Sequence, residues 1–328
     1  MRLPRYLASC ITLALLGYIL ALPCTVQASE SVSAKIPATV NDGTAFLCTF
    51  SGNGLQSVTV SFLGRSVSAK AADAAETASV LLPVPLDHKP GKQSVTWSAV
   101  LADGKKTSGK ISVAVVKRQY PVQKLTVEPK YVTPDPALKE RIDRERAIMS
   151  AALNTRSPER FWAVPMVRPV PGKVTSLYGL RRVFNEQPRN PHRGVDFRAA
   201  AGAPIKCIAP GTVVLTGDFY YSGKFVAVDH GLGVISTYLH MSEVKAEQGQ
   251  SVAAGDIIGL IGSTGRSTGP HLHLSLTVLG QSIDALPLLE MTAEDKALYA
   301  KPSGGKSGAP SGKKNAAKKN ARTPRKTQ

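Results

Sequence analysis

The chain has 328 residues and a formal net charge of +18, and this length is enough for two ordinary domains with well-buried cores. Its four cysteines are too few for a small domain held together by a dense disulfide framework, which excludes that class. Nine lysine and arginine residues and no acid fall at 301–328, so half of the net charge belongs to this tail.

The N-terminus has the pattern of a cleaved secretory signal peptide. Arg2 and Arg5 precede an apolar run at 11–22, and a small-residue site ends at Ala28, where we expect cleavage. The apolar run of about 12 residues is shorter than the roughly 20 that span a bilayer, so we do not expect a membrane anchor. Residues 1–28 therefore predict export to the periplasm or cell envelope.

Residues 29–118 predict a small β-sandwich. Polar and apolar residues alternate in short runs such as 57–62, as expected of strands with one buried face. Asp103 and Gly104 lie between two further runs, which indicates a hairpin with a longer loop. Several short strands in about 85 residues favour an immunoglobulin-like sandwich, which has no recognisable chemistry. Its histidine, His88, is predicted to be exposed in a loop.

Residues 119–160 predict a proline-rich connector that contains a helix at 136–153. Asp135 suits the N-cap of this helix and Pro136 suits its first turn. The apolar residues of the helix fall on one stripe and its other face is dense in charges. We expect the stripe to pack between the domains or over the second domain. It consists of Leu138, Ile142, Met149 and Leu153.

Residues 161–290 predict a second β domain. Glycines punctuate short apolar runs with little helical periodicity, which favours an antiparallel sheet. The fold class is therefore mainly β, with a connecting helix. Residues 291–328 predict a short helix and then a disordered basic tail, because 301–328 has too few apolar residues to form a core.

Two cysteines, Cys48 and Cys207, remain after the expected cleavage. Neither has a second cysteine at the spacing of a metal or redox motif. Each lies in an apolar run, so we expect buried free thiols, and a disulfide between the two domains stays open in an oxidising compartment.

Two short segments carry side chains that can bind a metal. His192 and Asp196 stand four residues apart with Gly194 between them, and His271 and His273 follow about 75 residues later. Imidazole nitrogen and carboxylate oxygen are ligands that zinc favours. On a strand the second pair shares one face, and we expect that face to pack on the core, where two histidines need a metal or hydrogen bonds. Gly194 has no side chain, which allows the backbone to approach a metal or substrate closely.

Three motifs follow one another in the second half of the chain. They are His192-x-Gly-x-Asp196, then Tyr238-Leu239-His240, then Gly269-Pro270-His271-Leu272-His273. In this order they resemble the lysostaphin-type zinc metallo-endopeptidases, which cut the peptide part of bacterial cell walls. The insertion at 181–189 resembles the Gram-negative branch of this family, and we expect it to form part of a groove wall, with Tyr220 and Tyr221 on another groove loop. The resemblance covers 171–289 and implies an antiparallel β peptidase core that binds one zinc per chain through His192, Asp196 and His273. It also implies that His240 and His271 flank the attacking water.

The chemistry that these residues predict is hydrolysis. Three protein ligands leave the fourth position of a tetrahedral zinc open, which is typical of a catalytic site. His240 and His271 can each accept a proton from the water, donate one to the leaving amine or stabilise the oxyanion, and the sequence leaves this division open. Tyr238 is either a second stabiliser on the face of His240 or a core residue. His230 matches no motif position and is predicted to be structural.

We therefore predict a zinc-dependent endopeptidase that hydrolyses the peptide cross-links of bacterial peptidoglycan. Its partners are expected to be peptide stems as substrate and, for the basic tail, a polyanionic wall or membrane surface. We expect a monomer. For a Gram-negative wall, the resemblance implies cross-links between D-alanine and diaminopimelate as the substrate, with glycine bridges as the alternative. The N-terminal sandwich either binds the wall, binds a partner or covers the active site.

Three other functions are less favoured. The segment Gly265-Arg266-Ser267-Thr268-Gly269 matches the GxSxG pattern of serine hydrolases, but a strand and not a helix is predicted after the serine. A catalytically silent homologue that binds the cell wall or regulates an amidase is disfavoured, because all five expected side chains are present. Specific nucleic-acid binding is disfavoured, because the tail of this exported protein lacks interleaved aromatic residues.

Overall fold

The computed structural model describes residues 32–72, 76–125, 135–184, 186–290 and 292–293. Strands dominate these ranges, which confirms the predicted mainly β class. The predicted signal peptide, the basic tail and nearly all of the predicted last helix lie outside the described residues. Within the described ranges, none of the helices is both long and apolar enough to cross a membrane.

Eight strands in the N-terminal part form two sheets, together called the sandwich below. In chain order they are β1 (Ser33–Lys35), β2 (Thr39–Asn41), β3 (Ala45–Ser51), β4 (Leu55–Phe62), β5 (Arg65–Lys70), β6 (Thr77–Pro83), β7 (Gly91–Leu101) and β8 (Lys106–Val116). One sheet has the order β1-β3-β6 and the other the order β2-β8-β7-β4-β5. All pairs are antiparallel except β2 with β8.

Aromatic rings fill the space between the two sheets. The ring of Phe46 on β3 stands edge-on to Phe62 on β4, with centroids 5.2 Å apart. Phe50 on β3 lies 5.5 Å from Trp97 on β7. Each pair joins one sheet to the other, which confirms the predicted sandwich. Its immunoglobulin-like subtype stays a prediction.

Cys48 and Cys207 are buried free thiols, as favoured from the sequence. Burial raises the pKa of the Cys48 thiol to about 12. Burial also raises the pKa of Cys207. Neither thiol is ionised at neutral pH, so both act as small core residues and not as nucleophiles or metal ligands.

The prediction of an exposed His88 is wrong. The residue is only partly accessible, and its Nε2 is buried without a hydrogen-bond partner in the described part of the chain. The His88 N–H donates to the carbonyl of Pro85 at 3.2 Å. A local loop signal in the sequence does not reveal this partial burial.

The connector contains a short strand, β9 (Val122–Leu125), and the helix α1 (Lys139–Leu153), which begins after a 3₁₀ turn at Pro136–Leu138. The Asp135 carboxylate accepts a hydrogen bond from the Ala137 N–H at 2.9 Å and caps this turn, as predicted. Of the four residues in the predicted stripe only Ile142 is buried, so the stripe is narrower than predicted. The helix lies over the second domain, where Glu145 accepts a hydrogen bond from the Tyr220 N–H at 2.7 Å.

The second domain is built on a ten-stranded antiparallel sheet. In chain order the strands of the C-terminal part are β10 (Val174–Ser176), β11 (Arg181–Phe184), β12 (Gln187–Arg189), β13 (Val195–Arg198), β14 (Pro204–Lys206), β15 (Gly211–Phe219), β16 (Gly223–Asp229), β17 (Val234–Val244), β18 (Ser251–Val252), β19 (Ile257–Ile261), β20 (His271–Val278) and β21 (Gln281–Ile283). The main path of the sheet is β10-β13-β20-β17-β16-β15-β18. The hairpin β11–β12 stands apart from it and pairs with β9 of the connector, in parallel.

Buried polar contacts join the two domains. Arg118 pairs with Asp284 at 2.6 Å, and the Asp284 side chain is completely buried. The Asp284 N–H donates to the carbonyl of Gly43 at 2.8 Å. Arg65 on β5 donates to the carbonyl of Leu279 at 3.2 Å. Because the buried apolar residues of both domains also form one cluster, the sandwich is docked firmly on the second domain.

Candidate metal centre

Three donor atoms meet at the middle of the large sheet. Asp196 on β13 and His273 on β20 are cross-strand partners, and His192 lies in the segment that leads into β13. Asp196 Oδ1 is 3.0 Å from His192 Nε2 and 2.8 Å from His273 Nδ1. The two nitrogens are 3.0 Å apart. The residues that the first and third motifs single out therefore converge on one point.

The alternation of β20 explains which face carries the site. Leu272 and Leu274 are fully buried, whereas His271 and His273 are partly accessible on the opposite face. The expectation that the histidine face packs on the core is therefore wrong. The leucines supply the core contacts, and this leaves the histidine face free to line a site.

Gly194 makes room for the ring of His273. A Cβ at this position would lie 2.5 Å from His273 Nε2 and 2.5 Å from the carbonyl oxygen of Leu274. Real Cβ atoms essentially never approach so closely, so only glycine fits without movement. The close approach predicted for Gly194 is thus an approach to the ring of His273.

In His192 and in His273, the ring nitrogen that points away from the three-donor centre also has a hydrogen-bond partner. His192 Nδ1 donates to the carbonyl of Leu177 at 3.0 Å. His273 Nε2 pairs with Ser275 Oγ at 2.9 Å. These contacts fix the orientation of the rings and leave His192 Nε2 and His273 Nδ1 as the inward-facing lone pairs, as in typical metal sites.

The electrostatics keep Asp196 ionised. Burial raises the pKa of its carboxyl, but the adjacent rings of His192 and His273 outweigh burial and hold the pKa well below its ordinary value. Its other oxygen, Oδ2, is 3.5 Å from Arg182 Nη2, which also lies 3.4 Å from Ser176 Oγ. Arg182 belongs to the hairpin β11–β12, which sequence reasoning assigned only to a groove wall.

His240 and His271 flank the three donors. His240 Nδ1 donates to the carbonyl of Thr264 at 2.8 Å, and His271 Nδ1 donates to that of Gly269 at 2.8 Å. Each ring therefore has a free Nε2, and that of His271 is 4.0 Å from Asp196 Oδ1. Burial, helped by the neighbouring His273, lowers the pKa of His240 to about 4. His240 is accordingly a neutral imidazole with a lone pair available.

The proposed role of Tyr238 as a second stabiliser is wrong. Its hydroxyl is fully buried and accepts a hydrogen bond from the Ile208 N–H at 2.8 Å, on the core side of the sheet. The reason is a β-bulge: the register of β17 with β16 shifts between Tyr238 and Met241, and His240 has φ 66°. The extra residue reverses the alternation, so Tyr238 and His240 point to opposite faces.

His230 is a structural residue, as predicted. It is fully buried, and its Nδ1 donates to the carbonyl of Pro210 at 2.8 Å while Nε2 pairs with Ser236 Oγ at 2.7 Å. Burial lowers its pKa to about 4. The ring is therefore neutral and both nitrogens are satisfied.

An open groove of about 360 Å³ runs beside the donors. It is lined by Thr175, Asp196, Arg198, Thr268, Gly269, Pro270 and His271. All of these residues belong to the second domain, so among the described residues the sandwich contributes nothing to the lining. Tyr220 and Tyr221, predicted to lie on a groove loop, stand edge to face with ring centroids 4.8 Å apart in the turn between β15 and β16.

The geometry excludes the serine-hydrolase alternative. Ser267 Oγ donates to the carbonyl of Gly269 at 2.8 Å. His271 Nδ1 donates to the same carbonyl, so this nitrogen cannot accept the hydroxyl proton of Ser267. The strand β20 also begins at His271, where a nucleophile elbow needs a helix.

The donor set fits zinc. Two imidazole nitrogens and one carboxylate oxygen, with an open side that faces a groove, are typical of catalytic zinc centres. Such a centre is typical of metal-dependent hydrolases. Residues 190–285 match Peptidase family M23. This match confirms the peptidase resemblance of the motifs.

Two curated proteins are similar to this chain over segments longer than the three motifs. Peptidoglycan DD-endopeptidase ShyA of Vibrio cholerae is 40% identical over 115 residues, which cover 35% of this chain and 27% of ShyA. DD-carboxypeptidase/endopeptidase Mpg of Neisseria meningitidis is 41% identical over 113 residues, 33% of this chain and 26% of Mpg. The chain thus matches about a quarter of the length of these curated relatives.

A solved structure covers more of the chain. It is a Pseudomonas aeruginosa protein assigned to peptidase M23, with 29% identity and a TM-score of 0.55. The similarity covers 74% of this chain and 92% of that protein. The common fold therefore reaches beyond the 190–285 segment.

Proposed function

We propose that the protein is a zinc-dependent endopeptidase that hydrolyses the peptide cross-links of bacterial peptidoglycan. The proposal rests on one observation above all: His192, Asp196 and His273 bring three donor atoms within 3.0 Å of one another, between two further histidines. The similarity to ShyA, which is named as a peptidoglycan DD-endopeptidase, supports the substrate class.

The metal ligands in this proposal are His192 through Nε2, Asp196 through Oδ1 and His273 through Nδ1, for one zinc ion per chain. The contacts of the opposite ring nitrogens with Leu177 and Ser275 support this choice of atoms. When bound, zinc supplies Lewis-acid polarisation of the scissile carbonyl and lowers the pKa of the attacking water.

His240 and His271 carry out the proton transfers. Each uses Nδ1 as a donor to a backbone carbonyl, so its Nε2 can accept a proton from the attacking water. The protonated ring can then donate that proton to the leaving amine. The other ring, when protonated, donates a hydrogen bond to the developing oxyanion. Their ring centroids are 4.8 Å apart, close enough to act on the same scissile bond.

The proposal also covers the localisation of the protein and the role of its basic tail. Residues 1–28 direct export to the periplasm or cell envelope, and 161–290 form the catalytic domain of a monomeric enzyme. The basic residues at 301–328 bind a polyanionic wall or membrane surface through a charge attraction that salt weakens.

Mass spectrometry of digested peptidoglycan tests the function. The mature protein should convert cross-linked muropeptides to monomers, and a chelator should abolish this conversion until zinc is restored. The masses of the products identify the bond, either D-alanyl to diaminopimelate or within a glycine bridge. Cross-links that survive with zinc present would refute the proposal and favour a catalytically silent, wall-binding homologue.

A further inference from the structure

Arg198 stands beside the proposed catalytic histidine, on the groove face of the sheet. On β13 the side chains of Val195 and Phe197 are fully buried, so Asp196 and Arg198 point to the opposite face. The register pairs Arg198 with His271. Arg198 therefore lies two residues after the proposed ligand Asp196 and on the same face, roughly 6.6 to 6.8 Å further along the strand.

The charge of Arg198 is not compensated within the groove. Of the residues that line the groove, only Asp196 and Arg198 carry a full charge. Asp196 is already engaged by His192, His273 and Arg182. In the described ranges no salt bridge joins Arg198 to an acid, and its side chain is exposed.

A guanidinium in this position suits one kind of ligand. Its planar fork of N–H donors matches the two oxygens of a carboxylate. One peptide residue spans about 3.3 to 3.6 Å, so Arg198 is within reach of a group one or two residues from the scissile bond. In a D-alanyl–diaminopimelate cross-link, the carbon that bears the linking amine also bears a free carboxylate. A glycine bridge has no such group.

We infer that Arg198 is a specificity-determining residue that binds a substrate carboxylate next to the scissile bond. The inference rests on the proposed function and narrows its substrate to cross-links whose amine-side residue carries a free carboxylate. Amidation of that carboxylate, which removes its charge and one acceptor oxygen, should therefore protect the cross-link.

Two cross-linked muropeptide dimers test the inference, identical except that the diaminopimelate carboxylate beside the cross-link is free or amidated. The wild-type protein should have a kcat/KM about 10- to 100-fold higher for the free carboxylate, the range expected for a charged hydrogen bond. Arg198→Gln should lose this ratio, because its kcat/KM for the free-carboxylate dimer should fall towards its value for the amidated dimer. An equal ratio in the wild type and in Arg198→Gln would overturn the inference.

Lys206→Gln is the matched control, because it removes one positive charge from an exposed position on β14, outside the groove lining. It should keep the wild-type ratio. If Lys206→Gln lost the ratio as Arg198→Gln does, the effect would come from net charge and the assignment of Arg198 would fall.

Equilibrium binding to the metal-free protein separates the two proposals. The wild-type protein should bind the free-carboxylate dimer about 10- to 100-fold more tightly than the amidated one, and Arg198→Gln should not. If the metal-free protein showed this preference but the zinc-loaded protein cleaved neither dimer, the peptidase function would be refuted and Arg198 would remain a carboxylate-binding residue. Equal binding and equal cleavage of the two dimers would overturn the inference and leave the peptidase function standing.

Discussion

Replacement of Gly194 by alanine should displace His273 and weaken metal binding. The new Cβ would lie 2.5 Å from His273 Nε2 and 2.7 Å from His273 Cε1. To restore an ordinary contact of 3.4 Å from the nearer atom, the ring must move by 0.9 Å or the backbone must shift. The Leu274 carbonyl, also 2.5 Å away, blocks the second route because it belongs to the central strand β20.

The expected loss follows from this displacement. Disturbed support of a metal ligand typically lowers metal affinity by 10- to 100-fold, so we expect a zinc Kd raised by about that factor. Overpacking of a well-packed site should also lower the free energy of unfolding of the metal-free protein by about 1 to 3 kcal/mol. Competition with a chromophoric chelator measures the first quantity, and urea unfolding of the apoprotein measures the second.

Gly269→Ala is the matched control for this substitution. A Cβ at Gly269 meets no heavy atom within 4 Å, and its backbone is not in the left-handed region. Zinc affinity and stability should therefore stay at the wild-type level. If Gly194→Ala bound zinc as tightly as Gly269→Ala, the position of His273 would not limit metal binding and the reasoning would be refuted.

Three further predictions concern other parts of the chain. His271→Ala should bind zinc normally in a metal analysis yet lose cleavage of muropeptides, and retained turnover would remove His271 from the mechanism. Burial holds the pKa of His230 at about 4 against 6.5 when exposed. The unfolded state therefore gains a proton first as the pH falls, and the free energy of unfolding should decrease by about 1.4 kcal/mol per pH unit between these values. Urea unfolding at pH 7 and pH 4.5 should find a smaller decrease in His230→Gln, and equal decreases would contradict the burial argument. Deletion of 301–328 should spare turnover of soluble muropeptides but weaken sedimentation with anionic vesicles, and a collapse of turnover would exclude a tether.

The donor residues could be predicted from sequence because their signals are local, and the resemblance implied that the two segments meet at one zinc. His192, Gly194 and Asp196 share one short segment, and His271 and His273 share one strand. Their spacing and the alternation of that strand carry most of the geometry. The direction of the histidine face was predicted wrongly, since only the assembled sheet reveals that the intervening leucines supply the core.

Other features depend on contacts between distant segments. The bulge at His240 arises from the pairing of β17 with β16, and it reverses the face on which Tyr238 lies. Arg182 reaches Asp196 because its hairpin pairs with β9 of the connector, about 60 residues earlier. No local pattern around Arg182 indicates either contact. Tertiary pairing of this kind overrides local signals, which explains why the sequence missed both.

The most direct test of the central claim is a crystal structure with diffraction data collected on both sides of the zinc absorption edge. The account predicts one anomalous peak per chain, at about 2.0 to 2.2 Å from His192 Nε2, Asp196 Oδ1 and His273 Nδ1. His240 and His271 should stand outside the coordination sphere. A peak ligated by either of those two histidines, or no peak between the three donors, would contradict the account.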